Sequence, residues 1–412
     1  MTSRSTYIAC AIGAIAIVMA GWAIVATARP EYALSSRAGH VRLLHDDQEI
    51  QRIYFERSSF VHDRSLPYRD VRQEYSFLGV AYFSLPRVFT NSPVVFDNVL
   101  LSFNAFLLCL LVVLTAWLLY VLRKSPWLLF LLCLPASLYF AFNRFDILMV
   151  VIVQASLVAL LHERFRLAIG LLIAGFFVKW YSIIFIPVYI VWWQKRRSVD
   201  LGPRHTWKII LVCAGAVVIP LAVLFAVFGL ESLFPFAFQA SRGIEFGNVL
   251  VPYFAEIFRI LSDSIALPLM QVSAFALVGL QITLPIFITL YPSWMREKLH
   301  TPFDVIRWMV IMLLCFLLFA KFYSPQYILW LVPLALLAAR SWSDVLLIIA
   351  LDLVHYFSFP LIYDAFGWES TLYAGMALAR TLLYGLLLNR LLGSTVERPL
   401  SQLAPESIKR IV

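Results

Sequence analysis

The chain has 412 residues, of which 62% are hydrophobic and only 14% are charged, and its formal net charge is +9. Soluble domains average roughly 25% charged residues, so this composition excludes an ordinary soluble protein and indicates a helical membrane protein with many spans. The positive charge does not indicate a nucleic-acid-binding protein, because Lys and Arg gather in short loops and form no basic patch or recognition module.

Apolar runs long enough for transmembrane helices recur from end to end. We predict twelve spans, at about residues 7–27, 98–122, 126–142, 145–161, 166–179, 181–194, 207–229, 266–291, 303–320, 326–340, 343–360 and 371–390. The first apolar run is longer than the usual core of a secretory signal peptide, about 7–15 residues, and predicts a retained helix. Several runs are shorter than about 20 residues, which predicts tilted, broken or partly re-entrant helices.

The basic residues predict the orientation of these spans. With the N-terminus inside, alternate loops carry Arg123, Lys124, Arg164, Arg166, Lys195, Arg196, Arg197, Arg296, Lys298, Arg340 and Arg390. Positive loops face the cytoplasm. We therefore predict a multi-pass protein of the cell (inner or plasma) membrane with both termini in the cytoplasm. One transmembrane domain would cover residues 1–390, and a cytoplasmic tail residues 391–412.

The predicted outer face has the longer loops, at about residues 28–97, 230–265 and 361–370. Long loops in compact proteins usually carry function. The first loop is densely charged, and its acids are Asp46, Asp47, Glu49, Asp63, Asp70 and Glu74, interleaved with Arg52, Arg57, Arg64, Arg69 and Arg72. Residues 47–54 can form a short helix on the membrane surface. An acid at the start of such a helix stays ionised beside the helix dipole and could act as the general base for an acceptor hydroxyl.

Four cations on the predicted outer face break the positive-inside pattern: Arg144, Lys179, Arg242 and Lys321. They lie near helix ends beside aromatic or proline residues, where they could bind a lipid-linked phosphate or snorkel to lipid headgroups. His355 and Asp352 lie within the eleventh predicted span. Ionisable groups inside a membrane are costly, so His355 and Asp352 are further candidate contacts for the phosphate or sugar, and a lone histidine inside a membrane can also be a packing residue.

Several familiar sites are absent from the sequence. The five cysteines all lie inside apolar runs, which excludes a disulfide framework and a Cys-based metal site. There is no Walker A loop, GxGxxG or HExxH motif, and no Gly-x-Ser-x-Gly nucleophile elbow. No Asp-x-Asp pair is present to hold a metal with a nucleotide-sugar. We therefore expect neither a cofactor nor a metal, and no soluble nucleotide-sugar donor.

Five short segments, spread along most of the membrane body, follow one another in the same order as the motifs of a known family. They are Leu66-Pro67-Tyr68-Arg69-Asp70 with Glu74-Tyr75, Asn143-Arg144-Phe145-Asp146, Lys179-Trp180-Tyr181 with Pro187, Ser241-Arg242-Gly243-Ile244-Glu245, and the run from Ser324-Pro325-Gln326-Tyr327 to Pro333. These segments resemble the signature motifs of the polyprenol-phosphate-mannose-dependent α-mannosyltransferases, a family that includes phosphatidylinositol-mannoside mannosyltransferases and belongs to the GT-C superfamily of membrane glycosyltransferases.

The resemblance implies an all-α, GT-C-like fold whose long first extracytoplasmic loop carries short surface helices. It also implies an inverting glycosyltransferase that moves a hexose, by family habit mannose, from a polyprenyl-phosphate-sugar. The acceptor would be a hydroxyl of a lipid-linked glycan, glycolipid or protein at the outer face. The family commonly has an Asp four residues before the Tyr that corresponds to Tyr54, and here that position is Ile50.

The predicted site residues fall into three groups. Asp47 and Asp46 are the candidates for the catalytic base, with Glu49 and Asp70 as open alternatives. The donor phosphate and sugar would contact Lys321, Arg242, Lys179, His355 and Arg144. The residues expected to bind the acceptor or organise the loops are Tyr68, Asp70, Glu74, Tyr75, Glu245 and Gln326.

Two other classes of protein compete with this interpretation. A transporter or flippase of lipid-linked sugars usually has inverted repeats and a substrate site near the bilayer midplane. A structural or assembly subunit would not need carboxylates and cations to converge. Here the ionisable residues and the long loops collect on one face, which favours an enzyme. Its expected partners are the lipid-linked donor, the acceptor and membrane lipids, and no obligate protein partner is evident.

Overall fold

The computed structural model describes residues 3–27, 34–36, 39–41, 43–46, 48–197, 203–241, 263–321, 323–367 and 370–393. In this part of the chain the protein is a bundle of helices with one small antiparallel hairpin, in which Leu34–Ser36 pairs with Gly39–Val41. Three predicted site residues, Asp47, Arg242 and Glu245, lie outside the described residues.

Five helices are long and apolar enough to cross a membrane: Arg4–Thr27, Pro93–Val121, Trp207–Phe228, Trp342–Phe366 and Thr371–Leu392. Two bent helix pairs raise the number to seven if each is one span: Pro126–Cys133 with Pro135–Asn143, and Ala276–Leu290 with Pro292–Lys298. A helical membrane protein is thereby confirmed, with five to seven candidate spans among the described residues, while the twelve spans remain a prediction.

Most of the other helices are shorter. They are Gln48–Tyr54, Phe55–Arg57, Phe60–Asp63, Phe77–Ser84, Leu85–Val88, Asp146–Leu161, Phe165–Phe176, Trp180–Phe185, Ile186–Arg196, Leu230–Leu233, Phe234–Ser241, Pro302–Leu318, Pro325–Tyr327 and Ile328–Ala338. Several breaks coincide with proline. The sequence predicts one span over residues 126–142, but the chain bends by 61° between Pro126–Cys133 and Pro135–Asn143, because proline has no backbone N–H and disfavours helix at the residue before it.

The centre of the bundle is the helix Ile328–Ala338, in which every residue is buried. It packs between Pro302–Leu318 and Asp146–Leu161. A helix that is apolar all round belongs in a core or a membrane, and this one is held by neighbours on all sides. Since Pro325–Tyr327 leads directly into it, the polar corner around Gln326 is anchored to a fully buried helix.

The first loop carries a helix that lies against one end of the bundle. The π-helix Gln48–Tyr54 continues without a break into Phe55–Arg57, and we call the two together the first-loop helix. Its start is capped by the side chain of Asp46, whose Oδ1 accepts the backbone N–H of Glu49 at 3.3 Å, as helix N-termini prefer. Ile50 and Tyr54 are buried against the bundle.

The opposite end of the bundle, which we call the basic end, holds cations at the ends of helices. Lys124 donates to the carbonyl oxygen of Ala339, Arg340 donates to that of Arg390 at 3.1 Å, and the Nε of Arg390 lies 2.6 Å from the Oδ1 of Asp344. Cations near helix C-termini satisfy the last carbonyl groups and the helix dipole. The basic residues at this end therefore complete helices.

Candidate active site

A buried ion pair joins the first loop to the corner between two helices. Arg144 lies between Pro135–Asn143 and Asp146–Leu161. Its Nη2 donates to Oδ2 of Asp46 at 2.7 Å, while the backbone N–H of Asp46 donates to the side-chain oxygen of Asn143 at 2.9 Å. Only 2% of Asp46 is exposed, so the corner fixes both the position and the orientation of its carboxylate.

The guanidinium of Arg144 stays charged at this depth. Burial lowers the pKa of Arg144, but the negative charges of Glu49 and Asp46 outweigh burial and raise that pKa well above its usual value. An arginine that keeps its charge in a region of low dielectric interacts strongly with nearby anions. Arg144 is therefore a permanent cation within the site.

Gln326 and Asp146 extend the ion pair toward Lys179. The Nε of Arg144 donates to the side-chain oxygen of Gln326 at 3.0 Å, and the Nε2 of Gln326 donates to the carboxylate of Asp146 at 3.2 Å. Asp146 is fully buried. It also accepts from the indole N–H of Trp330 at 2.9 Å, and its Oδ1 lies 3.5 Å from the Nζ of Lys179. Negative and positive groups thus alternate along one network from the first loop to Lys179.

Glu49 is a half-buried acid at this end of the molecule. The hydroxyl of Tyr75 donates to its Oε1 at 3.2 Å. Burial and the charge of Glu49 raise the pKa of Tyr75 well above its usual value, so the phenol keeps its proton and remains a donor. The neighbouring Glu74 points elsewhere and lies 3.4 Å from the Nη2 of Arg57. Glu49 is therefore a carboxylate that is both held and partly open to solvent.

Aromatic rings form a floor beneath Glu49. The rings are those of Tyr54, Tyr75, Phe83 and Phe145, with centroids 5.0 to 6.0 Å apart. The Nζ of Lys179 lies 4.8 Å from the centroid of Phe145, a cation–π contact. A Cβ atom added at Gly79 would come within 2.8 Å of Phe145. Only glycine at this position therefore lets the helix Phe77–Ser84 pack so closely against the aromatic floor. The floor holds the cation and the carboxylate on one apolar surface.

Tyr68 and Asp70 organise the turn that precedes Tyr75. The Tyr68 hydroxyl donates to the backbone carbonyl of Tyr75 at 2.9 Å, and the φ of Tyr68 is 71°, a left-handed conformation that costs roughly 1–2 kcal/mol for a non-glycine residue. Asp70 accepts the backbone N–H of Leu66 at 2.7 Å and pairs with Arg69 at 3.0 Å. The Leu66 N–H and the Arg69 side chain hold the pKa of Asp70 below its usual value.

Lys321 lies beside a loop that the sequence also singled out. Its Nζ donates to the carbonyl oxygen of Ala240 at 3.0 Å, near the end of the helix Phe234–Ser241. Arg242 and Glu245 follow this helix directly and lie outside the described residues. Lys321 and the start of that loop are therefore neighbours, while the positions of Arg242 and Glu245 stay predictions.

His355 is buried in a polar cluster of its own. Its Nδ1 donates to the carbonyl of Leu351 at 2.6 Å, and its Nε2 faces the hydroxyls of Tyr384, at 3.0 Å, and Tyr323. The guanidinium of Arg380, which the sequence did not single out, lies 3.3 Å from the ring centroid of Tyr323. The hydrogen bonds described for His355 do not reach Arg144 or Asp146, and its contact with the donor stays a prediction.

Asp352 caps a helix. Its carboxylate accepts the backbone N–H groups of Ala136 and Ser137, both at 2.9 Å, and the hydroxyl of Ser137 at 2.7 Å. These groups are the first turn of Pro135–Asn143. The free N–H groups of a helix start are satisfied by such an acceptor. Asp352 thus stabilises the helix that carries Asn143 to the site.

The structure brings together Asp46, Arg144, Lys179, Tyr75 and Gln326 from the predicted set. Sequence reasoning gave no site role to Asp146, although Asp146 connects Lys179 to Gln326. One signal was available, because an acid in the first turn of an otherwise apolar helix is unusual unless it is paired.

In comparisons with known proteins, no family model and no curated protein matches this sequence. The likeness to the mannosyltransferases therefore rests on the five motif segments alone. Any function has to be argued from the chemistry of the network.

Proposed function

We propose that the chain is an inverting membrane glycosyltransferase of the GT-C type, which transfers a hexose from a polyprenyl-phosphate-sugar to an acceptor hydroxyl at the outer face of the membrane. One observation carries the proposal. A partly exposed carboxylate, Glu49, and two cations, Arg144 and Lys179, lie at the same end of an apolar bundle. Tyr75 contacts both Glu49 and Lys179. Asp146 pairs with Lys179 and is joined to Arg144 through Gln326. Sugar transfer from a lipid phosphate needs this combination.

The proposed reaction is a single displacement. A carboxylate takes the proton from the acceptor hydroxyl, and the oxygen forms a bond to the anomeric carbon as the bond from that carbon to the phosphate oxygen breaks. The leaving polyprenyl phosphate gains negative charge. Cations aimed at the developing charge stabilise it most strongly where water is excluded. Lys179 is the partly exposed cation closest to Tyr75 and Asp146 and is proposed for this role, and Lys321 with Arg242 provides a second group.

The base is assigned to the start of the first-loop helix, where Glu49 lies in the first turn and Asp47 directly precedes the helix in the sequence. Glu49 is partly exposed and accepts one hydrogen bond from Tyr75, so it can reach a substrate hydroxyl. Asp46 is buried and paired with Arg144, which suits a positioning residue. Asp70 closes a turn through the N–H of Leu66, which suits an organising residue.

The proposal includes the predicted topology. In this topology, each of Arg144, Lys179 and Gln326 lies at a break between two short helices. The three breaks would all lie at the outer membrane surface. Non-helical backbone at membrane depth is tolerated where it is buried in protein or lines a polar cavity. Both termini and the basic end would face the cytoplasm, as positive charge favours.

A reconstituted enzyme assay tests the proposal. Purified protein in lipid vesicles would be given radiolabelled polyprenyl-phosphate mannose or glucose with a lipid extract as the acceptor. We expect transfer by the wild type and a loss of about 10²–10⁴-fold in Glu49→Gln or Asp47→Asn, the range for a general base. Glu163→Gln is the matched control, because Glu163 is an exposed acid elsewhere that pairs only loosely with Arg196, at 3.5 Å.

Two results would overturn the proposal. The first is full activity when Asp46, Asp47, Glu49 and Asp70 are each neutralised. The second is movement of the labelled lipid between leaflets without any transfer of its sugar, which would identify a flippase.

A further inference from the structure

The outer side of the first loop contains a cleft that the proposed reaction does not use. Its volume is about 440 Å³, and it is lined by Arg52, Ile53, Glu56, Arg57, Val71 and Glu74. Small-ligand sites usually have volumes of about 300–1,000 Å³. We propose that this cleft binds the acceptor as an uncharged sugar headgroup, an assignment that rests on the proposed function and specifies its acceptor.

The charges of the cleft indicate an uncharged, hydroxyl-rich ligand. Two guanidinium groups and two carboxylates line it, so the formal charges cancel. Carboxylates accept and guanidinium groups donate hydrogen bonds, and sugars carry hydroxyls that do both. For a phosphate, the attraction of Arg52 and Arg57 is offset by the repulsion of Glu56 and Glu74, and for a cation the two effects are reversed, so neither sign of charge is favoured. An uncharged glycan meets neither repulsion.

Part of the cleft is fixed and part is available to a ligand. Arg57 donates to the carbonyl of Arg72 at 2.5 Å and lies 3.4 Å from Glu74, so one wall is held in place. Arg52 and Glu56 are exposed, and the structure gives neither an ion pair to another described residue. Ile53 and Val71 add small apolar surfaces, which suit the C–H faces of a sugar ring.

Both walls of the cleft lead along the chain to the candidate base. Glu49 precedes Ile53 by about one turn of the first-loop helix, so the two residues lie at neighbouring levels of that helix. On the opposite wall, Glu74 is followed by Tyr75, whose hydroxyl donates to Glu49 at 3.2 Å. A sugar held in the cleft would therefore present a hydroxyl of its own, or of the next sugar, to the carboxylate.

The test measures binding without the donor and transfer with it. The probes are octyl mannoside and octyl glucoside below their micelle concentrations, with octyl phosphate as the charged comparison, and the full-length protein is held in lipid nanodiscs. We expect the octyl glycosides to bind more tightly than octyl phosphate. Arg52→Gln and Glu56→Gln should each raise the Kd of the glycoside and the KM of the acceptor about tenfold, since a hydrogen bond to a charged group is lost, while the donor KM changes less than twofold.

Matched controls are Arg64→Gln and Asp63→Asn, exposed residues of the same loop outside the cleft, which should leave all values unchanged. Tighter binding of octyl phosphate, or glycoside binding that is unaffected by Arg52→Gln and Glu56→Gln, would overturn the cleft assignment even if transfer is observed. Glycoside binding that depends on both residues, in a protein that transfers no sugar, would support the cleft and contradict the proposed function.

Discussion

The two ends of the bundle use charged residues in different ways. At the basic end, cations are bound mostly by the carbonyl oxygens that terminate helices, as when Arg307 donates to Leu391 at 2.8 Å. At the first-loop end, Arg144 and Lys179 are bound by the buried carboxylates of Asp46 and Asp146. Capping completes a helix using groups that every helix has. Pairing buried charges from separate segments has a large desolvation penalty, which the single cap that Asp46 also provides to the first-loop helix does not require.

This difference separates a structural role from a functional one. Apolar side chains of the same volume often stabilise a protein as well as a buried ion pair does. The network at the first-loop end is therefore weak evidence for stability and better evidence for a site. Its hydrogen bonds hold Arg144 and Lys179 beside Glu49, which is partly exposed. The comparison predicts that changes at one end alter activity, and that changes at the other alter stability alone.

Breaking the buried pair should have the largest effect. Asp46→Asn or Arg144→Gln alone leaves an uncompensated charge or an unsatisfied group, and we expect each to lower the free energy of unfolding by about 3–5 kcal/mol and to abolish sugar transfer. The double variant replaces both charges by amides and should recover most of the stability but none of the activity. Thermal unfolding in nanodiscs and the transfer assay measure the two quantities separately. Recovery of activity in the double variant would make the pair structural.

An intermediate effect is expected from a helix cap at the basic end. The side chain of Asp344 accepts the backbone N–H of Ser341 at 3.1 Å, and the Ser341 hydroxyl accepts that of Asp344 at 3.3 Å, which is a capping box. Asp344→Ala removes both this cap and the ion pair with the partly exposed Arg390. It should lower stability by about 1–3 kcal/mol and leave the transfer rate of the remaining folded protein unchanged. Thr301 and Asp304 form a second capping box at the start of the helix Pro302–Leu318, so Asp304→Ala is a comparable change and should have a similar effect. A selective loss of activity in either variant would show that the ends are coupled.

Much of the first-loop end could be predicted from the sequence. Arg144, Lys179 and Gln326 stand out because each is polar and borders an apolar run. Their assembly into one network could not be predicted from spacing, since Asp46 lies 98 residues from Arg144, and Arg144 lies 182 residues from Gln326. Contacts over such separations depend on how helices pack, and a single sequence does not encode that in any local pattern.

Intramembrane polar residues were the hardest to interpret. Asp352 and His355 are three residues apart on one helix and raise the same expectation of function, yet Asp352 caps another helix and His355 joins two tyrosines. Arg380 is almost completely buried and gave no sequence signal beyond being a cation within an apolar run. These residues differ in role because they contact different side chains and backbone groups, and those contacts are determined by how the helices pack.

The smallest effect is a pH dependence at the basic end. Burial and the charge of Arg340 lower the pKa of Lys124 to about 7, although Asp344 opposes the shift, whereas the unfolded chain has a lysine pKa of about 10.4. Below pH 7 Lys124 is protonated in both states and the penalty of its buried charge is fully present. Between these two values the unfolded state binds more protons, so the stability that depends on Lys124 rises with pH.

We expect the wild type to gain thermal stability between pH 7 and pH 9 relative to Lys124→Met, by a shift on the order of a few degrees, with transfer activity at fixed pH unchanged. Lys298→Met, which removes an exposed lysine, is the control and should follow the wild type. If the thermal stability of Lys124→Met rose with pH as much as that of the wild type, the buried charge of Lys124 would not limit stability. If Lys124→Met lost sugar transfer while remaining folded, the division between a structural end and a catalytic end would fail. A residue that contacts the carbonyl of Ala339 and the ring of Phe303 would then be needed for chemistry at the far side of the bundle.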